Sequence, residues 1–133
     1  MYDVTEKLQP FLLIGLGAVL GSSLRFYITN YFRVAYSSSY LGTVIVNIVS
    51  AFSLGFFIAI QERFGGNSFN LESPLFLFLT VGCLGSLSTF STFIADILKT
   101  ILDKRWKLCF GLAFCSLLAG LLFALLGLAF GNV

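Results

Sequence analysis

Apolar residues run along this chain in four long blocks, separated by short segments that are richer in polar residues. The blocks cover residues 10–32, 41–60, 74–97 and 108–130. Each block has about 20 residues or more, which at ~1.5 Å per residue lets a helix cross a ~30 Å hydrocarbon core. The pattern predicts an all-α membrane protein whose single domain, residues 1–133, consists of four transmembrane helices.

The middle of the third block departs from this pattern, because glycines and hydroxyl residues replace leucine at membrane depth. Gly82 and Gly85 are followed by serine or threonine at five of the seven positions 86–92. Glycine permits unusual backbone angles, and hydroxyls can bond to backbone groups that a broken helix exposes. We therefore predict a broken third helix whose freed carbonyls are ligands for a small cation. Close helix packing at the glycines, with hydroxyls bonded back to their own helix, is the alternative.

The composition agrees with a lipid environment and narrows the function. Hydrophobic residues make up 58% of the chain and charged residues 11%, and histidine is absent. A soluble domain of 133 residues cannot bury so much apolar surface. The net charge of +2 offers no basic patch for nucleic acid, and no nucleophile is paired with a base, so an enzyme is not expected.

Two features mark the first helix. Gly17-x-x-x-Gly21 forms a small-residue face, which predicts a close contact with another helix. Arg25 lies inside the apolar block, where a guanidinium has to reach the interface, pair with another group or line water. A snorkelling side chain and a structural or vestibule role are both open for Arg25.

The second and fourth helices carry polar side chains at helical spacing. Thr43 and Asn47 are four residues apart and Ser50 follows three residues later, so the three lie along one stripe. On the fourth helix, Ser116 and Gly120 share a face in the same way. In lipid, such side chains either form hydrogen bonds between helices or line a polar path.

Two phenylalanines three residues apart, Phe90 and Phe93, lie on one face of the third helix. The edge of a phenyl ring is positive, so edges directed at a cavity can receive an anion, although core packing is the more common role. Asp96 follows one turn later, and a role simply as an interfacial residue beside Lys99 is open for it.

These motifs together resemble the Fluc family of fluoride channels, also called CrcB proteins. The family patterns G-x-x-x-G-A-x-x-R-Y and G-T-x-x-x-N-x-x-G-x-F look like residues 17–26 and 42–52. The pattern G-x-x-G-G-F-T-T-F-S-T-F looks like residues 82–93, and it is specific because it fixes most positions along one membrane helix. The pattern S-x-x-x-G-L resembles residues 116–121 and is weak alone.

The resemblance implies two antiparallel copies in a dual-topology dimer, forming a passive fluoride-selective channel that exports fluoride across a bacterial plasma membrane and relieves its toxicity. Backbone carbonyls of Gly85 and Ser88 from both copies would hold a structural Na⁺ that is not transported. Asp96 stands where the family often has glutamate. The implied ion path combines ring edges, hydrogen-bond donors and a vestibule cation, namely Phe90, Phe93, Asn47, Thr43, Ser116, Thr89 and Arg25.

Several positions depart from the family pattern. Ser86 and Leu87 replace glycine and phenylalanine, Ser88 replaces threonine, and Leu112 stands where many members have a tyrosine. Basic residues also favour one end of the helices, and this bias leaves open a heterodimer with an oppositely oriented homologue instead of a homodimer. They are Arg33, Lys99, Lys104, Arg105 and Lys107 at one end, against Lys7 and Arg63 at the other.

Two other functions compete with the channel. A small four-helix multidrug antiporter needs a membrane-embedded acid, and the sequence has no Asp or Glu between Gln9 and Ile60. A non-transporting membrane scaffold would use the same polar side chains only as hydrogen bonds between helices. A passive fluoride channel is the function that we expect.

Overall fold

The computed structural model describes residues 4–36, 39–64 and 73–133, and every regular element within these ranges is a helix. The elements in chain order are α1 (Val4–Tyr36), α2 (Ser39–Phe64), α3 (74–87), α4 (Phe90–Leu102) and α5 (Trp106–Gly131). Helices α3 and α4 are the two halves of the third apolar block.

Four segments of these helices are long and apolar enough to cross a membrane. They are Leu8–Tyr36, Tyr40–Phe64, Pro74–Leu102 and Trp106–Gly131, with lengths between 25 and 29 residues. The prediction of four spans is therefore confirmed. Helix α1 continues past its apolar block to Tyr36, and in its last turn Nη2 of Arg33 donates to Oδ1 of Asn30 at 2.7 Å.

Helices α2 and α5 touch along their backbones because glycine stands at the contact points. A Cβ on Gly55 would meet a backbone carbonyl of α5, and a Cβ on Gly127 would meet a backbone carbonyl of α2. Ala59, which is fully buried, packs against Gly131 further along the same contact. Small residues that let two helices approach closely are a common basis of helix association in lipid.

Helix α1 packs against α3 through the predicted small-residue face. A Cβ on Gly17 would lie 2.9 Å from the backbone nitrogen of Cys83 and 3.0 Å from Cα of Gly82. A Cβ on Gly21 would overlap the carbonyl of Cys83. The packing role predicted for Gly17 and Gly21 is confirmed, and Gly82 serves the same contact from the other side.

The third segment is broken at Ser88 and Thr89, whose backbones are extended, with φ −83° and ψ 120° and with φ −130° and ψ 138°. The prediction of a broken helix is confirmed, but the expected use of unusual glycine angles is wrong. Gly85 has ordinary helical angles, φ −63° and ψ −35°, and Gly82 lies within a π-helical stretch, Leu77–Leu84. Extended angles are open to every residue, so two hydroxyl residues make the break.

Hydroxyl groups around the break bond mainly to near neighbours. Ser86 donates to the carbonyl of Cys83 at 3.1 Å, and the hydroxyls of Thr89 and Thr92 lie 2.8 Å apart across the first turn of α4. The alternative interpretation, in which hydroxyls bond within their own helix, therefore holds for Ser86. It does not describe Ser88, whose side chain is exposed.

Large apolar side chains cover much of the outer surface. On α5 only Cys109, Gly127 and Gly131 are buried, whereas Phe110 and Phe114 are more than half exposed. A surface of this kind requires lipid or another protein chain as its neighbour.

Replacing Gly17 by alanine should lower the free energy of unfolding by about 1–3 kcal/mol, because the new methyl group would overlap the backbone of α3. The control is Gly15→Ala, since no atom of another helix in the described part of the chain lies within 4 Å of a Cβ at Gly15. Thermal unfolding in detergent, followed by circular dichroism, measures both variants. Equal melting temperatures for the two would contradict the close contact between α1 and α3.

Candidate functional site

A groove of about 550 Å³ lies beside the break in the third segment. It is open on one side and is bordered by α2, α4 and α5 as well as by the two extended residues. Its lining consists of Asn47, Ala51, Ser88, Thr89, Phe90, Phe93, Ala113, Ser116, Leu117, Gly120 and Leu121. Six of the nine predicted site residues therefore meet in one place, although they come from three different helices and the break.

The two phenylalanines stand next to each other in this groove. Their ring centroids are 6.3 Å apart, and the ring planes are inclined by 44°. Phe90 is 74% exposed and Phe93 is half-buried, so Phe90 in particular is not a core side chain within this chain. A ring that protrudes into a groove can present its positive edge to an anion, which a ring packed in a core cannot do.

Polar groups of the groove come from both sides of the phenylalanines. Asn47 is half-buried on α2, and Ser116 is half-buried on α5. An asparagine amide supplies two N–H donors and a serine hydroxyl supplies one. The groove thus combines hydrogen-bond donors for an anion with a mostly apolar wall.

Thr43 lies apart from this groove, in a second cavity of about 210 Å³. Its hydroxyl donates a 2.8 Å hydrogen bond to Oδ2 of Asp96, and the threonine is buried. Asp96 is thus in contact with α2 and is not only an interfacial residue beside Lys99. The cavity is lined by Phe26, Thr29, Asn30, Arg33, Thr43, Thr92, Ala95 and Asp96.

A narrow crevice separates the groove from the second cavity. Thr43, Phe93 and Leu112 are among the residues that line it, and it has no room for a water molecule. Leu112 is the position at which the family pattern often has tyrosine, so here an apolar side chain fills the space between the two polar regions.

Arg25 lies outside both the groove and the second cavity. Its Nη1 atom is buried and has no hydrogen-bond partner among the residues that the structure describes. Arg33 lines the second cavity instead, with its guanidinium bonded to Asn30. Arg33 was not among the predicted site residues, although the spacing of Asn30 and Arg33 by one helical turn was a usable signal.

Backbone and hydroxyl oxygen atoms lie close together where α3 ends. Gly85 and Ser88 line a cleft of about 250 Å³ together with Ser50 of α2. The last carbonyls of a helix have no partner within it, and here the amide of Ser88 satisfies only the carbonyl of Leu84, at 3.1 Å. Among the described residues no three His, Cys, Asp or Glu side chains come together, so the available ligands are carbonyl and hydroxyl oxygens. Such oxygens suit a small hard cation.

Comparisons with known proteins give a consistent result. The family model described as "CrcB-like protein, Camphor Resistance (CrcB)" matches residues 12–128. A protein named fluoride-specific ion channel FluC 1, from Prochlorococcus marinus strain MIT 9313, is 40% identical over 132 residues, which cover 99% of both chains. A fluoride-specific ion channel FluC from Acinetobacter baylyi is 35% identical over 120 residues, covering 90% of this chain and 91% of the relative.

The match over nearly the whole length shows that the chain belongs to the CrcB family. With four helices able to cross a membrane and close relatives in bacteria, it is a multi-pass protein of the plasma membrane.

The bond between Thr43 and Asp96 should appear as a coupling energy of about 0.5–3 kcal/mol in a double-mutant cycle of Thr43→Val and Asp96→Ala. The free energy of unfolding in detergent is the quantity to measure. A cycle of Thr80→Val with Asp96→Ala is the control, because the hydroxyl of Thr80 bonds to the carbonyl of Phe76. Coupling of equal size in both cycles would show that the Thr43 bond has no specific role.

Proposed function

We propose that this chain forms a passive fluoride-selective channel through which fluoride leaves the cell. The observation that carries the proposal is the groove at the helix break, where Phe90 is exposed. Phe93, Asn47 and Ser116 line the same groove. The printed names of relatives that are 35% to 40% identical to the chain support the same function.

Fluoride is small and strongly hydrated, so a path through lipid has to replace its water with other favourable contacts. Asn47 and the hydroxyls of Ser116 and Thr89 can donate hydrogen bonds, and the rings of Phe90 and Phe93 can offer positive edges. No residue that lines the groove carries a carboxyl, amino or imidazole group. This lining favours passive movement of the anion over exchange for protons.

The complete channel is proposed to be an antiparallel dual-topology dimer. The groove of one chain is open on one side, and Phe90 protrudes there, so a second chain would supply the missing wall. Gly120 lines the groove, and no atom of another described helix lies within 4 Å of a Cβ placed there, which leaves space for a neighbour. The partner is an identical chain or an oppositely oriented homologue.

A structural Na⁺ is proposed at the end of α3, held by carbonyls of Gly85 and Ser88 from both copies. The cleft at these residues contains a buried hydroxyl, that of Ser50, which has no hydrogen-bond partner within residues 4–36, 39–64 and 73–133. The carbonyl end of a helix also carries partial negative charge. These features fit a cation. When bound, the ion would supply a fixed positive charge that raises the potential felt by an anion in the groove.

Phe90→Ile should reduce fluoride efflux from liposomes to background, because isoleucine keeps the bulk of the side chain and removes the ring edge. Efflux is read with a fluoride electrode after purified protein is reconstituted. The control is Phe11→Ile, since Phe11 is similarly exposed, at 72%, and lies near the start of α1, outside the groove.

Cross-linking or size-exclusion chromatography should show that both variants assemble as the wild type does. Normal efflux through a well-assembled Phe90→Ile protein would refute the role of the ring edge. A wild-type protein that assembles but gives no efflux would instead favour the scaffold function.

A further inference from the structure

Ser50 carries an unsatisfied polar atom in the apolar interior. The residue is 3% exposed, and its Oγ has no hydrogen-bond partner within the described part of the chain. Serine and threonine in membrane helices usually bond to a carbonyl one turn earlier. Thr29 and Thr80 follow that rule, with bonds to the carbonyls of Arg25 and Phe76. A buried hydroxyl without any bond is unfavourable, so Ser50 Oγ is available to a ligand.

The surroundings of Ser50 indicate which kind of ligand fits. Its cleft joins α2 to the end of α3 and is lined by Asn47, Ser50, Ala51, Leu54, Thr80, Leu84, Gly85 and Ser88. No side chain in this lining carries a positive charge. The last turn of α3 lies at this cleft, and its carbonyl groups form the negative end of the helix dipole. A cation is therefore the ligand that the cleft favours.

We propose that Ser50 Oγ is a further oxygen ligand, directly or through one bound water, for the cation at the end of α3. The inference rests on the proposed function, which places Na⁺ at the carbonyls of Gly85 and Ser88. A hydroxyl turns its lone pairs to a cation and still has a proton to donate, which a carbonyl does not. Binding of the cation would also remove the free-energy cost of leaving the buried Ser50 hydroxyl without a partner.

The family pattern does not supply this ligand. Ser50 stands where the family pattern has glycine, which has no side-chain oxygen. We therefore expect the Ser50→Ala variant to bind Na⁺ more weakly than the wild-type chain does. Alanine is a better replacement for Ser50 in this test than glycine, because it is smaller than serine and favours the helix, so folding is preserved.

The test is the melting temperature of the full-length purified protein in detergent as Na⁺ replaces N-methyl-D-glucamine at constant ionic strength. A cation that binds only the folded protein raises the melting temperature with its concentration, and the curve yields an apparent dissociation constant. Ser50→Ala should raise that constant by about three- to tenfold, the effect of losing one polar contact. Ser53→Ala, on the same helix and half-buried, should leave it unchanged.

The other results overturn the inference in distinguishable ways. A loss of stability in Ser50→Ala that is the same at every Na⁺ concentration would assign the hydroxyl to packing alone. A wild-type protein that does not respond to Na⁺ would reject the cation itself along with the Ser50 ligand. Fluoride efflux of the same preparations is measured separately, so failure of the channel function is recognised independently of either result.

Discussion

The lack of water in the bilayer core is the constraint on which this structure depends. Backbone groups in lipid have to find partners, so a helix can stop at membrane depth only where its free ends face protein, an ion or a polar cavity. The break at Ser88 and Thr89 meets this requirement by opening on a groove on one side and a cleft on the other. Both candidate sites follow from the two extended residues.

Glycine contacts elsewhere hold the break in position. Gly17 and Gly82 bring α1 and α3 into backbone contact, and Gly55 and Gly127 do the same for α2 and α5. The second pair fixes the helices that carry Asn47 and Ser116, and the first pair holds the first half of the third span against α1. The second half, α4, presents its phenylalanines to the opening between α2 and α5. Packing far from the groove thus determines which side chains meet in it.

Much of this could be predicted from the sequence, because apolar block length and the cluster at 82–93 are strong signals in lipid. The four spans, the break and the meeting of Phe90, Phe93 and Asn47 belong to this part. Other features depend on tertiary contacts that spacing does not encode. A small residue suits either close helix packing or a helix break. The sequence therefore did not show that Gly82 packs against α1 while Ser88 lies at the break. Thr43 follows the stripe of Asn47 yet bonds to Asp96, whose position depends on how α4 leaves the break.

The most direct test of the channel is the reversal potential of the purified wild-type chain, reconstituted alone in a planar bilayer with a fluoride gradient. A passive fluoride-selective channel formed by this chain gives a reversal potential at the fluoride equilibrium value, unchanged by added chloride or by a proton gradient. A potential that follows the proton gradient would contradict passive movement, and one that follows chloride would contradict selectivity. Absence of current from well-folded protein would contradict a homodimeric channel, and co-expression with an oppositely oriented homologue would then decide between a heterodimer and a scaffold.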